Sequence, residues 1–547
     1  MKQFLLLIIL SSCIAGCSQK EKVDILVYHA TIYTVDSAFS TAEAMVIRDG
    51  KILATGTQDD LNKKYSARES LDAGGKFIYP GFIDAHAHFV GYASSLQRVN
   101  LVGTQSWEEV IQRTRQFVTD NHIEAGQWIV GRGWDQNDWD RKEFPTRESL
   151  DSIFGKNPVM LTRIDGHAAI ANQQALTIAG IKVGHTITGG DFEVKNGSLT
   201  GILVDNAMDI VNAKIPRATD EQFAKGLKAA EANCFAVGLT TIDDCGLNFN
   251  SVERIKHLHQ TGELKMRLYV MLSDEKDNYD FFEKTGKIKT DRLHVNAFKV
   301  YGDGALGSRG ACLLAPYSDK PGHLGFLLSK PEHFDSVANW LVDHNMQMCT
   351  HAIGDSGNRA ILKTYAKYLK GKNDLRWRIE HAQVVNQQDF DLFGMYSIIP
   401  SVQPTHATSD MYWAGDRLGS ERVKGAYAYQ QLMQQNNWIP LGTDFPVEDI
   451  SPFKTFYAAV IRKDGKGWPE QGYQVENALS RKDAIRGMTI WAAKSNFEEG
   501  EKGSLEKGKF ADFIILDNDL MKADENQLLQ TSVLKTFVGG EKVYERK

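Results

Sequence analysis

The first residues able to do chemistry are two histidines in the segment Pro80-Gly-Phe-Ile-Asp-Ala-His-Ala-His-Phe89. On a β-strand, alternate side chains share a face, so Asp84, His86 and His88 point to the same side. Two imidazoles at this spacing can bind one metal ion together. Histidine is scarce, with 15 in 547 residues, but a single His-x-His pair also arises by chance or in a hydrogen-bonded core. A metal site therefore requires ligands from other strands.

Four later segments each place a ligand-type side chain at the end of a short apolar strand. A lysine directed into a buried interior is costly unless it is paired or neutralised, so Lys299 is hard to explain as purely structural. The others, taken singly, fit a hydrogen-bonded histidine or a turn carboxylate. Together with the first pair they predict a metal centre, and they are Lys299 (Phe298-Lys-Val-Tyr-Gly-Asp-Gly304), His351 (Thr350-His-Ala-Ile-Gly-Asp355), His381 (Arg378-Ile-Glu-His381) and Asp444 (Gly442-Thr-Asp-Phe-Pro446).

These side chains need a scaffold that brings several strand ends together. With the first histidine strand, eight short apolar strands occur, most of them separated by the roughly 25 to 45 residues of a repeated β/α unit. The pattern predicts an α/β protein with a (β/α)8 TIM-like barrel over 79–90 and 231–499, whose site lies at the strand carboxyl ends. The seven later strands are 239–243, 266–271, 295–300, 347–351, 376–380, 397–402 and 438–442.

Two regions lie outside this repeat. Residues 23–78 and 500–547 are both rich in apolar strands, and Asp49-Gly50 marks a hairpin in the first of them. We therefore predict one small β-sandwich-like domain formed from both termini. Residues 91–230 hold strands and aromatic loops of their own, and they predict an inserted subdomain or lid after the first barrel strand.

The amino terminus has the features of a targeting signal. Lys2 precedes a short apolar run, and Ile14-Ala-Gly-Cys17 resembles a bacterial lipobox followed by polar residues. The run is too short to span a bilayer permanently. We predict a lipoprotein-type signal peptide over 1–17, lipid on Cys17 and export to the periplasmic face or cell surface. Leu10-Ser-Ser-Cys13 fits the same pattern, and a simple cleaved secretory signal is the alternative.

Composition limits the partners. The chain has 42% hydrophobic and 24% charged residues and a formal net charge of −6. An acidic balance of this size argues against nucleic acid as the main partner and leaves a small-molecule substrate as the expected one. It leaves open whether the chain forms a homodimer.

The motifs resemble those of the amidohydrolase superfamily, in particular its family-3 branch of metal-dependent hydrolases. The resemblance extends over essentially the whole chain after the signal region. It is carried by the five segments quoted above, together with Arg163-Ile-Asp-Gly-His167 and Gly503-Ser-Leu-Glu-Lys-Gly-Lys-Phe-Ala-Asp512.

The resemblance implies one or two divalent metal ions, with zinc as the default for imidazole-rich ligation. His86, His88 and Asp444 would hold one ion and a second pair, His351 and His381, the other. Lys299, carboxylated by carbon dioxide, would bridge the two. Asp444 would also take a proton from the attacking water and pass it to the leaving nitrogen.

Further site residues are predicted from their positions near these motifs. His167 in the insert and His406 after the seventh strand are candidate catalytic or substrate contacts. Asp303 and Arg309, in a glycine-rich loop, either position substrate or hold the loop's conformation. This loop lacks the Lys-Ser/Thr ending of a phosphate loop.

The expected function is an exported, lipid-anchored hydrolase of a non-peptide carbon–nitrogen bond, such as an N-acyl or N-formyl amide. One alternative is a one-metal deaminase, esterase or lactonase on the same scaffold. The other is a surface lipoprotein that binds a ligand without turnover. Metal stoichiometry and a substrate panel distinguish the three.

Overall fold

A computed structural model describes residues 20–187 and 190–547 of the chain. The predicted signal segment, with Cys13 and Cys17, lies outside the described residues. Among the described residues, no helix combines the length and the apolar character needed to cross a membrane.

The middle of the chain forms a parallel sheet whose strands follow one another in sequence order. The short strand Ile288–Lys289 pairs antiparallel with its fourth member. The seven parallel strands are Phe82–Ala87, Leu239–Leu247, Arg267–Ser273, Leu293–Tyr301, Gln347–Ala352, Arg378–His381 and Ile399–Ser401.

An eighth segment lies between the first and last of these strands. Leu441 forms a parallel bridge with Val402, and its carbonyl accepts a hydrogen bond of 3.2 Å from the Ala85 amide. These contacts are too few for a full strand, but they nearly close the sheet. The α/β fold class and the (β/α)8-type barrel predicted from the sequence are thereby confirmed.

Helices surround this sheet, and their ends carry recognisable signals. Thr219 caps one helix by accepting from the Gln222 amide at 3.2 Å, and proline occupies the first turn of three others. The helices are Phe89–Ser95, Asp220–Ala236, Phe249–Gln260, Lys276–Thr285, Pro331–Asp343, Asp355–Leu369, Phe390–Met395, Pro404–Asp410, Ala414–Arg422, Tyr429–Asn436, Pro452–Ile461, Arg481–Gly487 and Ile490–Ser495, with 3₁₀ turns at Val423–Gly425 and Val475–Asn477.

Both ends of the chain build a second sheet, which is mixed and has eight strands. Its long strand Tyr65–Pro80 lies between the amino-terminal and carboxyl-terminal strands. The Asp519 carboxylate joins the two halves by accepting from the hydroxyls of Tyr33 and Tyr79 at 2.9 Å. The other strands are Glu21–Tyr33, Thr41–Ala42, Ala44–Arg48, Lys51–Gly56, Phe513–Leu516, Val533–Val538 and Glu541–Glu545, with the helices Gln58–Lys64 and Glu525–Leu528.

The region after the first barrel strand holds a third sheet, of six strands. It has its own apolar cluster, in which Trp134 and Trp139 are buried. Its strands are Val99–Asn100, Ile129–Trp134, Val159–Arg163, Ala168–Ala171, Gly190–Lys195 and Ser198–Asp205, and its helices are Trp107–Asp120, Gln136–Asp138 (a 3₁₀ turn), Glu148–Phe154, Gln173–Ala179 and Asn206–Asn212.

Candidate metal centre

A cavity of about 400 Å³ opens at the carboxyl ends of the barrel strands. Five of the six predicted ligands line it, and the sixth, His86, is fully buried beside them. His406 also lines the cavity. The histidines, lysine and predicted carboxylate on its wall are His88, Lys299, His351, His381, His406 and Asp444.

Asp444 lies at the centre of this group. Its Oδ1 is 3.5 Å from His86 Nε2 and 3.2 Å from His88 Nε2, while its Oδ2 is 3.6 Å from His406 Nε2. The carboxylate therefore faces imidazoles from two different parts of the barrel. A single carboxylate in this position can contribute to either of two cation sites.

The backbone before Asp444 is held against the first strand. The Asp84 carboxylate accepts from the Thr443 amide at 2.9 Å and from its hydroxyl at 2.7 Å. A Cβ on Gly442 would lie 2.5 Å from the backbone nitrogen of His86, so glycine is required for this close approach. Asp444 itself has a φ of +65°. Residues in this sparsely populated region persist where the surroundings fix them, as Asp84 does here.

A second group of imidazoles, His351 and His381, lines the same cavity next to the first. The ring centres of His351 and His381 are 4.6 Å apart, and those of His86 and His381 are 4.7 Å apart. The amine of Lys299 lies 3.3 Å from His86 Nε2. The structure thus brings together all six residues that the sequence predicted as ligands.

The donor atoms suit a cation. Two of them, His351 Nε2 and His406 Nε2, are buried without a hydrogen-bond partner among the described residues. Unpaired buried acceptors are costly unless another group, such as a metal ion, satisfies them. Two triads have donor atoms within 4.8 Å of one another: His86, His88 and Asp444, and His381, His406 and Asp444.

Two of the ligand imidazoles, His351 and His381, are held neutral by burial, whereas the negative neighbours of His86 outweigh burial and raise its pKa. Burial lowers the pKa of His351 to about 3 and holds the pKa of His381 well below its usual value. Both rings are therefore neutral at physiological pH, the form that binds metals. Burial opposes ionisation of Asp444, but its contacts with His86 and His88 outweigh burial and hold its pKa well below the usual range.

The pKa of Lys299 is raised, whereas burial alone would lower it. Burial alone lowers the pKa of this amine, which would favour the neutral form that reacts with carbon dioxide. Negative neighbours, among them Glu380 and Asp444, outweigh burial and raise its pKa above the usual value. The amine is therefore held in its charged form in this structure.

Asp303 and Arg309 have structural contacts. The buried Asp303 carboxylate accepts from the amides of Cys312, Ile353 and Gly354 at 2.8 to 2.9 Å. Its Oδ1 lies 3.8 Å from His351 Nε2. Arg309 binds Asp319 at 2.8 Å. Of the two readings left open by the sequence, these contacts favour the one in which they hold the loop.

His167 does not line the cavity. It follows the strand Val159–Arg163 in the inserted sheet, where its side chain is 77% exposed and its Nδ1 lies 2.8 Å from the Asp205 carboxylate. A catalytic role for His167 stays a prediction.

The structure also brings residues to the site that sequence reasoning missed. Glu380 and Gln403 contact the Nδ1 atoms of His86 and His381 at 2.6 and 2.7 Å. Two carboxylates, Asp410 and Glu448, line the cavity wall. The motif Arg378-Ile-Glu-His381 contained a signal for Glu380, because alternation on a short strand places Arg378 and Glu380 on one face.

A parallel β/α barrel with clustered imidazoles and a central carboxylate at its mouth defines a metal-dependent hydrolase. The chain matches the amidohydrolase family Amidohydro_3 over residues 69–544. It belongs to this family, as the motifs had indicated.

Relatives extend along nearly the whole chain. Protein LONG AFTER FAR-RED 3 of Arabidopsis thaliana is 33% identical over 95% of this chain and 91% of its own length. N-substituted formamide deformylase of Arthrobacter pascens is 26% identical over 96% and 98%. The crystal structure of an uncharacterised metal-dependent hydrolase from Pyrococcus horikoshii superposes with a TM-score of 0.79 at 29% identity, covering 92% of this chain and 99% of that one.

Proposed function

We propose that this protein hydrolyses a non-peptide carbon–nitrogen bond, an N-acyl or N-formyl amide, in a small-molecule substrate. The observation that carries the proposal is the position of Asp444, whose Oδ1 lies 3.2 Å from His88 and whose Oδ2 lies 3.6 Å from His406. The similarity of this chain to N-substituted formamide deformylase, along 96% of its length, supports an amide rather than an ester as the substrate.

Two cation sites are proposed, with zinc as the first metal to test. His86, His88 and Asp444 would hold one ion, and His351 and His381 would hold the other, with carboxylated Lys299 between them. Bound divalent ions would supply activation of water and polarisation of the scissile carbonyl. His406 lies close enough to Asp444 and His381 to compete with His351 for the second site.

Asp444 is the proposed proton carrier. Its low pKa keeps the carboxylate ionised. The proposed transfer of a proton from the attacking water to the leaving nitrogen rests on its position among the ligand histidines. His406, 3.6 Å from Asp444, is placed to contact the substrate or the developing negative oxygen.

The outer wall of the cavity favours neutral or cationic substrates. Asp410 accepts from Gln383 and Tyr427, and Glu448 accepts from Ser409. All three donors are neutral, and Lys299, deep in the centre, is the only lysine or arginine among the described lining residues. An anionic substrate would therefore meet two carboxylates with no cation on the wall to compensate them.

A hydrolysis panel with zinc-, manganese- or cobalt-loaded protein tests the proposal. We expect N-formyl and N-acetyl amines to be cleaved, with matched cationic and neutral amides preferred over those bearing a carboxylate. Asp410→Asn should weaken that charge preference without abolishing turnover. Cleavage of esters and lactones but of no amide would contradict the proposed reaction.

We further propose export and anchoring through lipid on Cys17, motivated by the sequence Ile14-Ala-Gly-Cys17. Two acyl signals hold a protein at a membrane far better than one. Labelled fatty acid should be incorporated by the wild type and lost in Cys17→Ser. Loss of label in Cys13→Ser alone would contradict the choice of cysteine.

A further inference from the structure

Beneath the proposed metal ligands lies a buried carboxylate that the mechanism above does not use. Glu380 has no exposed surface, and its Oε2 lies 2.6 Å from Nδ1 of His86. The same oxygen accepts from Nη2 of Arg378 at 3.2 Å, and Oε1 makes an ion-pair contact of 2.7 Å with Nε of that arginine. Glu380 therefore joins a ligand histidine to a fully buried guanidinium.

Arg378 is itself fixed on its other side. Its Nη1 lies 2.9 Å from the buried Asp243 carboxylate, and its Nη2 donates to the Ser401 hydroxyl at 2.9 Å and to the Ala85 carbonyl. Ala85 precedes His86 in the same strand. The arginine thus holds both the backbone before His86 and the carboxylate that contacts its ring.

The contact determines how the His86 ring is used. A carboxylate at Nδ1 favours the tautomer with the proton on Nδ1, which leaves the Nε2 lone pair free. That Nε2 faces the site, 3.5 Å from Asp444 and 3.3 Å from Lys299.

The Nδ1 atoms of two other ligand histidines, His88 and His381, contact weaker acceptors. His88 Nδ1 lies 3.0 Å from the Cys245 carbonyl, and His381 Nδ1 lies 2.7 Å from the amide oxygen of Gln403. A charge-assisted hydrogen bond is roughly twice as strong as a neutral one. Among these three rings, His86 is thus the most firmly oriented.

We infer that Glu380 is a positioning residue that fixes His86 as an Nε2 ligand and thereby sets the affinity of the metal centre. Arg378 keeps Glu380 in place and balances its charge in the dry interior. The inference rests on the proposed metal site.

Metal affinity of Glu380→Gln provides the direct test. Glutamine preserves the shape of the side chain but removes the charge. If its amide oxygen accepts from Nδ1–H of His86, its NH2 group must face the N–H donors of Arg378, so one of the two contacts is lost. We expect the zinc dissociation constant, measured by chelator competition, to rise by about 10- to 100-fold. This is the usual effect of losing a carboxylate that is hydrogen-bonded to a ligand histidine. The visible spectrum of the cobalt-loaded protein should change as well.

Two further variants separate positioning from general loosening. Glu498→Gln alters another buried carboxylate near a histidine, His294, at 3.3 Å and away from the site, so it should lower the melting temperature and leave the zinc dissociation constant close to that of the wild type. Asp243→Asn removes the carboxylate on the far side of Arg378, which contacts neither His86 nor the proposed ligands. It should therefore weaken zinc binding less than Glu380→Gln does.

The outcomes are distinguishable. A folded Glu380→Gln that binds zinc as tightly as the wild type overturns the inference, and so does equal weakening in all three variants. If the wild type binds no divalent metal, the proposed function fails first. If Glu380→Gln does not fold, nitrogen NMR of the zinc-loaded wild type decides: His86 should be protonated on Nδ1, and protonation on Nε2 overturns the inference.

Discussion

The two ends of one barrel strand, Leu293–Tyr301, show how differently this protein treats buried charge. Near the start, His294 belongs to a cluster around Glu498, whose carboxylate lies 2.7 Å from the Lys502 amine and also contacts Lys289. Near the end, Lys299 faces Asp444 and several imidazoles. At the start of the strand, a carboxylate lies between the cationic side chains. At its end, the proposed metal-ligand atoms of Lys299, Asp444 and the histidines surround one cavity.

This difference teaches which buried polar group is structural and which is functional. Burying charges is tolerated when opposite charges compensate each other, as at Glu498. Buried atoms without a hydrogen-bond partner occur at both ends among the described residues, so charge compensation is what distinguishes them. Glu498 Oε2 lies 2.7 Å from the Lys502 amine, whereas the ion-pair contacts of Asp444 Oδ1 are with the imidazoles of His86 and His88. A buried carboxylate among imidazoles that can act as ligands is expected to bind a cation or a substrate. The predictions below change one end at a time.

The largest effect is expected at the mouth, in Asp444→Asn. Asparagine keeps the size and one oxygen but cannot accept a proton, so turnover should fall by about two to four orders of magnitude. The protein should stay folded and keep at least one metal ion. Turnover, melting temperature and metal content are measured on the same preparation. A lowered melting temperature with near-normal turnover would show that Asp444 is structural.

Lys299→Ala is expected to have the next largest effect. Without the bridging carbamate the second ion should be lost. Turnover should fall by about two to three orders of magnitude, because a bound ion contributes several kcal/mol of transition-state stabilisation. Short carboxylic acids should restore part of the activity. Lys299→Arg should not replace lysine, since guanidinium stays charged. Elemental analysis that finds an unchanged metal content in Lys299→Ala refutes the bridge.

Site residues could be predicted from the sequence where a local pattern marks them, and not where they depend on contacts between distant segments. Ligands such as His86 and Asp444 were predictable because they end apolar strands, and a barrel brings strand ends together. Glu380 was missed because its partner, His86, is 294 residues away. Likewise, no local pattern shows that Asp303 binds the backbone amides of Ile353 and Gly354, about fifty residues away.

The eighth barrel segment shows where sequence-based prediction of a strand fails. The segment 438–442 was predicted as a strand from its apolar residues, and it does occupy the closing position of the barrel. In the structure its pairing is reduced to the bridge at Leu441. Its carboxyl end instead approaches His86 through Gly442, a constraint that depends on the folded barrel and not on strand propensity.

At the other end of the strand, Glu498→Gln should reduce stability without changing the chemistry. Removing the charge leaves the buried Lys502 without its carboxylate, while Lys289 keeps its contact with Glu501 at 2.9 Å. Breaking a buried pair in this way costs about 3–5 kcal/mol. Urea unfolding should show this loss, while turnover and metal content of the folded protein match the wild type. A large loss of turnover in Glu498→Gln would abolish the distinction between the two ends.

The smallest effect concerns acid. The positive charges of Lys502 and Lys289 outweigh burial and lower the pKa of Glu498 far below its usual 4.5. Because the folded state releases this proton more readily than the unfolded chain, the resulting stability is present above pH 4.5 and is lost as the pH falls towards the folded-state pKa. One proton accounts for at most about 1.4 kcal/mol per pH unit. The free energy of unfolding, measured by urea at several pH values below 4.5, should therefore fall more steeply in the wild type than in Glu498→Gln. The variant serves as the control, because it keeps His351, His259 and the other groups that titrate in acid. Parallel slopes would mean that Glu498 is protonated at the same pH in both states, and the compensated cluster at the start of the strand would then contribute no acid dependence.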